Sequence, residues 1–189
     1  MTAEIESYLA FFRAAEALKD TLRSGHTSGG RRESTAEHSW RLCLMALTLE
    51  EELDGIDLGR LLGLLIVHDL GEAVSGDIPA PEQSGDKSAE ERRDLLSLLA
   101  PLPEAGRARL LALWDEYDAA ETPEARLAKG LDRLETVLQH TQGANPADFD
   151  YDFNLGYGRD RTDAHPLTAA LRAPVDAETA RLARARDPA

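Results

Sequence analysis

Cysteine is nearly absent from this chain. Cys43 is the single one in 189 residues, which excludes an internal disulfide framework and fits a reducing, cytoplasmic setting. It falls in Leu42-Cys43-Leu44-Met45-Ala46-Leu47, the context of a small buried hydrophobe rather than a nucleophile. Long apolar runs are lacking too. The most apolar stretch, Leu61-Leu62-Gly63-Leu64-Leu65-Ile66-Val67, falls well short of the roughly 18 residues a membrane-spanning helix needs, so no membrane association is expected. Cations are in deficit, with 21 Lys and Arg against 35 Asp and Glu and a net charge of −14. That balance argues against coating a nucleic-acid polymer or an anionic lipid surface. It leaves room for a small phosphorylated ligand, because a bound dication and a few local cations can dominate the field of one site. Glu4 and Glu6 stand where a basic leader would, so no signal peptide is expected.

What remains is ordinary globular material. Hydrophobic residues make up 42% of the chain, enough for a core in one domain that buries about two thirds of its unfolded surface. Apolar positions recur with helical period throughout, and neither an internal repeat nor a βαβ alternation is visible. The spacing of Ile5, Leu9, Phe12 and Leu18 predicts a helix over about 3–22, followed by a flexible loop at Gly25-His26-Thr27-Ser28-Gly29-Gly30. Ser34 and Glu37 form a capping box for a helix running to about Leu53. A third helix is expected from about Ile56 to Gly71, with a loop at 78–86 beyond it. Further helices are expected at about 87–100, 103–119 and 123–142, punctuated by Pro101, Pro103 and Pro123. The texture turns aromatic and polar after Gly143, and an Arg-rich peripheral helix closes the chain at about 175–186. The fold class is therefore all-α, a helical bundle.

Chemistry concentrates at three places. His68-Asp69 closes the most apolar run, His38 sits in the first turn of its helix, and Asp132 lies beside the apolar stripe formed by Leu127, Leu131, Leu134, Val137 and Leu138. Two imidazoles and two carboxylates are raw material for a divalent-metal site, since imidazole suits Mn, Fe, Co, Ni and Zn and carboxylate adds tolerance for harder ions. Adjacent helical residues point about 100° apart, so His68 and Asp69 converge on one ion only if the helix end is irregular. Taken singly, each residue has a plainer reading: His38 as a packed core histidine, His68-Asp69 as a helix C-cap, Asp132 as a solvated acid or the partner of Arg133. Glu72 and Asp77 read either as proton-handling carboxylates beside a metal or as loop acids capping backbone amides.

The company these residues keep resembles the HD-domain metal-dependent phosphohydrolases, and more narrowly their 5′-deoxynucleotidase branch. That branch carries a Ser/Thr-x-x-Glu-His-Ser stretch, then HD-x-x-Glu-x-x-x-Gly-Asp-Ile, then a Lys-x-x-Asp-x-x-Glu helix. The blocks stand here as Ser34–Ser39, His68–Ile78 and Lys129–Glu135, within about residues 18–140. The resemblance implies one HD domain over 1–189, with a C-terminal extension from about 143, and one divalent ion (Mn, Co, Ni, Fe, Mg or Zn) held by His38, His68, Asp69 and Asp132. It implies Glu72 and Asp77 as catalytic acids or bases. Arg23, fifteen residues before His38, aligns with an arginine that holds the substrate phosphate, a role suited to bidentate guanidinium; Lys129 would assist. The implied activity is release of phosphate from 5′-deoxyribonucleoside monophosphates by a cytoplasmic homodimer. Triphosphate or cyclic-nucleotide hydrolysis, and a non-catalytic metal-stabilised interaction protein, are the alternatives. Ser24 and the Gly29-Gly30 and Arg31-Arg32 pairs depart from the family pattern, which leaves sugar and base contacts in that loop open. His140 and His165 read as structural or solvated.

Overall fold

A computed structural model of the chain describes residues 2–78 and 87–186; the Pro79–Asp86 part of the expected 78–86 loop lies outside the described residues. Ten α-helices occupy those residues: α1 Thr2–Ala15, α2 Thr35–Thr48, α3 Leu58–Val67, α4 Glu72–Ser75, α5 Lys87–Leu99, α6 Glu104–Ala119, α7 Pro123–Gln142, α8 Tyr151–Gly156, α9 Arg159–Thr162 and α10 Pro166–Arg186. The single sheet among them is a hairpin of β1 (Leu22–His26) and β2 (Arg32–Ser34), paired antiparallel with Leu22 opposite Ser34 and His26 opposite Arg32. The all-α expectation holds, with that hairpin as its one β element.

Local chemistry explains the helix boundaries that matter for the site. Ser34 accepts from the Glu37 amide while the Glu37 carboxylate accepts from the Ser34 amide, so the expected capping box starts α2 and fixes His38 one turn in. Asp57 caps α3 by accepting from the Arg60 amide. Thr122 caps α7 by accepting from the Ala125 amide, and Pro123 occupies its first turn, where a missing N–H costs nothing.

The core has two parts, and α3 serves both. Leu61, Leu64 and Leu65 join Leu42, Ala46, Ala125, Leu127, Ala128 and Leu131 from α2 and α7. Val67 and the following Leu70 join Phe11, Leu95, Leu98, Leu99 and Trp114. Helix α7 is central, packing against α2, α3, α6, α9, α10 and β1. Truncating a fully buried residue such as Leu131 would cost about 2–5 kcal/mol.

Four local expectations give way, the first being that α2 ends at Thr48 rather than near Leu53, with a 3₁₀ turn over Glu50–Glu52 after it. The 3–22 helix stops at Ala15, continues as a 3₁₀ turn over Glu16–Lys19, and hands over to β1. Gly25–Gly30 belongs to the hairpin rather than a free loop: Thr27 donates to the Arg31 carbonyl at 2.7 Å and accepts from Gly30 at 3.0 Å, with Gly30 at φ +86°. The last helix begins at Pro166, not near 175, and runs through Pro174. It packs on α7 and α8 with Thr168, Arg172 and Thr179 buried, so it is not peripheral. The helix continues through Pro174 although an interior proline removes a backbone donor.

Candidate metal centre

Helix α3 ends at Val67, and the chain then tightens. The Leu70 amide bonds to the Val67 carbonyl and the Glu72 amide to the Asp69 carbonyl, i→i+3 spacings that replace the α-helical ladder. That irregular end brings His68 and Asp69 to one spot, with His68 Nε2 3.0 Å from Asp69 Oδ2. Gly71 permits it, because a Cβ there would fall 2.8 Å from the Glu91 carbonyl of α5. The Trp114 indole donates to the His68 carbonyl at 3.0 Å, so Trp114 is a core residue that also holds this turn.

His38 enters from α2, fully buried. Its Nε2 lies 3.3 Å from Asp132 Oδ1 and 3.9 Å from Asp69 Oδ2. Ligand atoms of His38, His68 and Asp69 all lie within 4.8 Å of one another. The other ring nitrogens are committed. His68 Nδ1 donates to the Leu65 carbonyl at 2.9 Å, and His38 Nδ1 pairs with Glu135. A hydrogen bond at Nδ1 selects the tautomer that leaves the Nε2 lone pair available. Among the described residues both Nε2 atoms are buried without a hydrogen-bond partner, which is costly unless something else satisfies them. Two imidazole lone pairs aimed at two carboxylates fit a divalent cation.

Electrostatics agree. Burial opposes ionisation of Asp69, but His68, Arg23 and His38 overcome it and hold the carboxyl well below its usual range. Asp132 behaves likewise, burial being outweighed by Arg133 and His38, with Arg133 Nη1 3.2 Å from its Oδ2. The Tyr117 hydroxyl, kept protonated by burial and by Asp132, donates to the same Oδ2 at 2.7 Å. Burial and Arg23 push His38 down, yet Glu135 and Asp132 lift it to about 9. In this cluster a proton is the competitor of a cation.

A second acidic group lies on the far side of His38, where Glu33, His38 and Glu135 also approach one another. It is filled by guanidinium. Arg41 Nε donates to Glu135 at 2.6 Å, and Arg23 Nε lies 3.6 Å from Glu33. Burial and Glu135 push Glu33 up to about 7.

The remaining expected residues surround one cavity of about 280 Å³, lined by Arg23, His68, Asp69, Glu72, Asp77, Lys129 and Asp132 among others. Arg23 reaches it from β1, donating to Asp69 at 3.3 Å and to Thr136 at 3.1 Å. Glu72 is buried and accepts from the Thr35 hydroxyl at 2.9 Å. Burial, reinforced by Asp69 and Asp77, pushes Glu72 up to about 9; a dication beside it would draw that value down. Lys129 Nζ sits 4.1 Å from the Tyr117 ring centroid, and burial lowers its pKa. His140 is buried against the cavity with Nδ1 3.0 Å from Asn154 Oδ1.

Sequence reasoning missed the work of Tyr117, Thr35, Thr136 and Arg41, whose partners lie far along the chain. Glu135 carried a visible signal, an acid three residues beyond Asp132 on an otherwise apolar stripe.

A helical domain that converges two histidines and two aspartates behind an irregular His-Asp turn is an HD domain. The HD domain family model matches residues 15–172, and the chain belongs to that family. It is 33% identical over 141 residues to the human 5′-deoxynucleotidase HDDC2, covering 72% of this chain and 68% of that protein. The zebrafish protein of the same name is 32% identical over 140 residues, covering 71% and 68%. Among solved structures, a predicted metal-dependent phosphohydrolase from Magnetospirillum magnetotacticum MS-1 superimposes with a TM-score of 0.82 at 32% identity, covering 95% of this chain and 94% of that one. The resemblance to HD-domain phosphohydrolases is borne out. Among the described residues, no helix is long and apolar enough to cross a membrane.

Proposed function

We propose that this chain is a metal-dependent 5′-deoxynucleotidase, releasing phosphate from 5′-deoxyribonucleoside monophosphates. The observation that carries the site is the pair of buried Nε2 atoms of His38 and His68, without a hydrogen bond and 3.3 Å from Asp132 and 3.0 Å from Asp69. The substrate class follows from the named relatives. The four residues would hold one divalent ion, of the Mn, Co, Ni, Fe, Mg or Zn group. When bound, such an ion supplies Lewis acidity and lowers the pKa of water.

The chain's own residues do the rest. Arg23, aided by Lys129, binds the phosphate by charge-assisted hydrogen bonds, although Asp69 and Thr136 occupy its guanidinium in this structure. Glu72 and Asp77 handle the protons, taking one from the attacking water and giving one to the leaving 5′-oxygen. The cavity of about 280 Å³ sits at the small end of ligand sites and suits one mononucleotide. We read 1–189 as one HD domain acting in the cytoplasm. A homodimer is supported by Trp40, Leu44 and Leu47, apolar side chains left exposed on α2.

The test is metal-stripped protein reloaded with Mn, Co, Ni, Mg or Zn and assayed for phosphate release from a panel of nucleotides. Monophosphates of the deoxy series should be turned over, with triphosphates and cyclic nucleotides poor. Faster triphosphate hydrolysis would overturn the reading, and no turnover with any ion would favour a structural metal site.

A further inference from the structure

The cavity has an aromatic side that the metal and phosphate chemistry does not use. Phe153 in α8 and Tyr157 just after it both line the cavity. They stand one helical turn apart with ring centroids 5.3 Å apart and planes 31° apart. Phe153 is 42% exposed, a large apolar ring left at the edge of an otherwise ionic pocket. Tyr157 is tied to the ion-binding end through one residue: the Arg133 guanidinium lies 5.1 Å from its ring centroid and bonds to Asp132 at 3.2 Å.

The backbone beneath these rings is held firmly. Arg172, 1% exposed on α10, donates to the Asn154 carbonyl at 2.6 Å and to the Tyr157 carbonyl at 3.0 Å, and Asp176 accepts from its Nε at 2.6 Å. Gly158 has φ +65°, and a Cβ on it would fall 2.6 Å from Arg133 Cγ. The chain therefore presses against the Arg133 stem where only glycine fits. A buried arginine spent on one backbone carbonyl of α8 and one just beyond it serves position, and what it positions is the Phe153–Tyr157 wall.

We propose that Phe153 and Tyr157 form the nucleobase subsite of the proposed nucleotidase reaction, a reading that rests on a nucleotide being the substrate. The phosphate lies at the Arg23 and Asp69 end, and the base stacks on the aromatic wall beyond Arg133. Every base has a π-face, so a stacking wall binds without reading a hydrogen-bond pattern. It accommodates all four deoxynucleotides.

The experiment compares dAMP with 2-deoxyribose 5-phosphate, which has the same phosphate and sugar and no base. Both are measured by equilibrium titration and by phosphate release, in the wild type, the Phe153→Ala/Tyr157→Ala double variant and Tyr157→Phe. The double variant should bind dAMP about tenfold more weakly, the scale of one base stacked on an aromatic ring. Its handling of deoxyribose phosphate should stay within about twofold, and Tyr157→Phe should match the wild type. Equal losses for both ligands would mean a structural role and overturn the subsite, as would no loss for either. Wall-dependent binding of dAMP without hydrolysis would sink the nucleotidase reading and leave the subsite standing. Hydrolysis indifferent to the wall would sink the subsite alone, and no binding of dAMP by the wild type would sink both.

Discussion

The two sides of His38 make an instructive pair. On the Nδ1 side, Glu33 and Glu135 meet Arg41 and Arg23, and the ring nitrogen itself is paired with Glu135. On the Nε2 side, Asp69 and Asp132 are just as acidic, but two ring nitrogens point at them with no hydrogen bond of their own. A cluster of carboxylates is therefore a poor sign of a metal site. Guanidinium reaches both sides, Arg41 and Arg23 on the first and Arg23 and Arg133 on the second, so what separates them is whether ring nitrogen lone pairs are left over. The closed side also works for the open one, because Glu135, held by Arg41, fixes the tautomer that aims Nε2 of His38 at Asp132.

The largest expected effect comes from breaking the open side. His68→Ala or Asp69→Ala should abolish both bound metal and turnover, read by elemental analysis and phosphate release. His38→Ala and Asp132→Ala should lower both in the same way, with some residual metal. Full activity in any of the four would end the metal-hydrolase account. Next in size, Glu72→Ala and Asp77→Ala should keep the metal and lower turnover by roughly 10² or more, the scale of lost acid–base help. Metal loss in them would make these acids ligands or supports instead.

Breaking the closed side should cost less. Glu135→Gln removes the charge that orients His38 and should weaken metal affinity about 10–100-fold while leaving a loaded enzyme active. A metal titration decides it. An effect as large as that of His68→Ala would mean that the sides are not separable.

Smallest per step is the response to pH. His38 is raised to about 9 by Glu135 and Asp132 against burial and Arg23, so a cation must displace its proton. Metal affinity should climb about tenfold per pH unit up to about pH 9. In metal-stripped protein the same shift acts oppositely. A raised histidine adds stability that is complete below its ordinary value of about 6.5 and is lost as pH rises through about 9. Thermal melts of stripped protein across that window should decline with pH. A pH-independent metal affinity would show that His38 is already neutral.

Much of this was legible in the chain because it is local. Thr122-Pro123 and Gly143 bracket α7 at its observed ends, Ser34 and Glu37 start α2, and the irregular turn after Val67 follows from the geometry of adjacent ligands. The hairpin was not legible, since Leu22–His26 carries no alternating apolar pattern and owes its pairing to the fold around it. Pro166 and Pro174 obscured α10, whose Arg172 is buried through Asn154, Tyr157 and Asp176. In the site, motif residues stood out by spacing. The residues that aim them did not: Glu135 on His38, Tyr117 on Asp132 and Thr35 on Glu72 are pairings across 97, 15 and 37 positions, set by packing alone.

Cobalt, titrated into metal-stripped protein and followed by its visible absorption, asks directly which side of His38 holds the ion. The account predicts one site in the wild type, retained in Glu33→Gln and lost in His68→Ala. Retention in His68→Ala with loss in Glu33→Gln would place the ion among Glu33, His38 and Glu135 and contradict it.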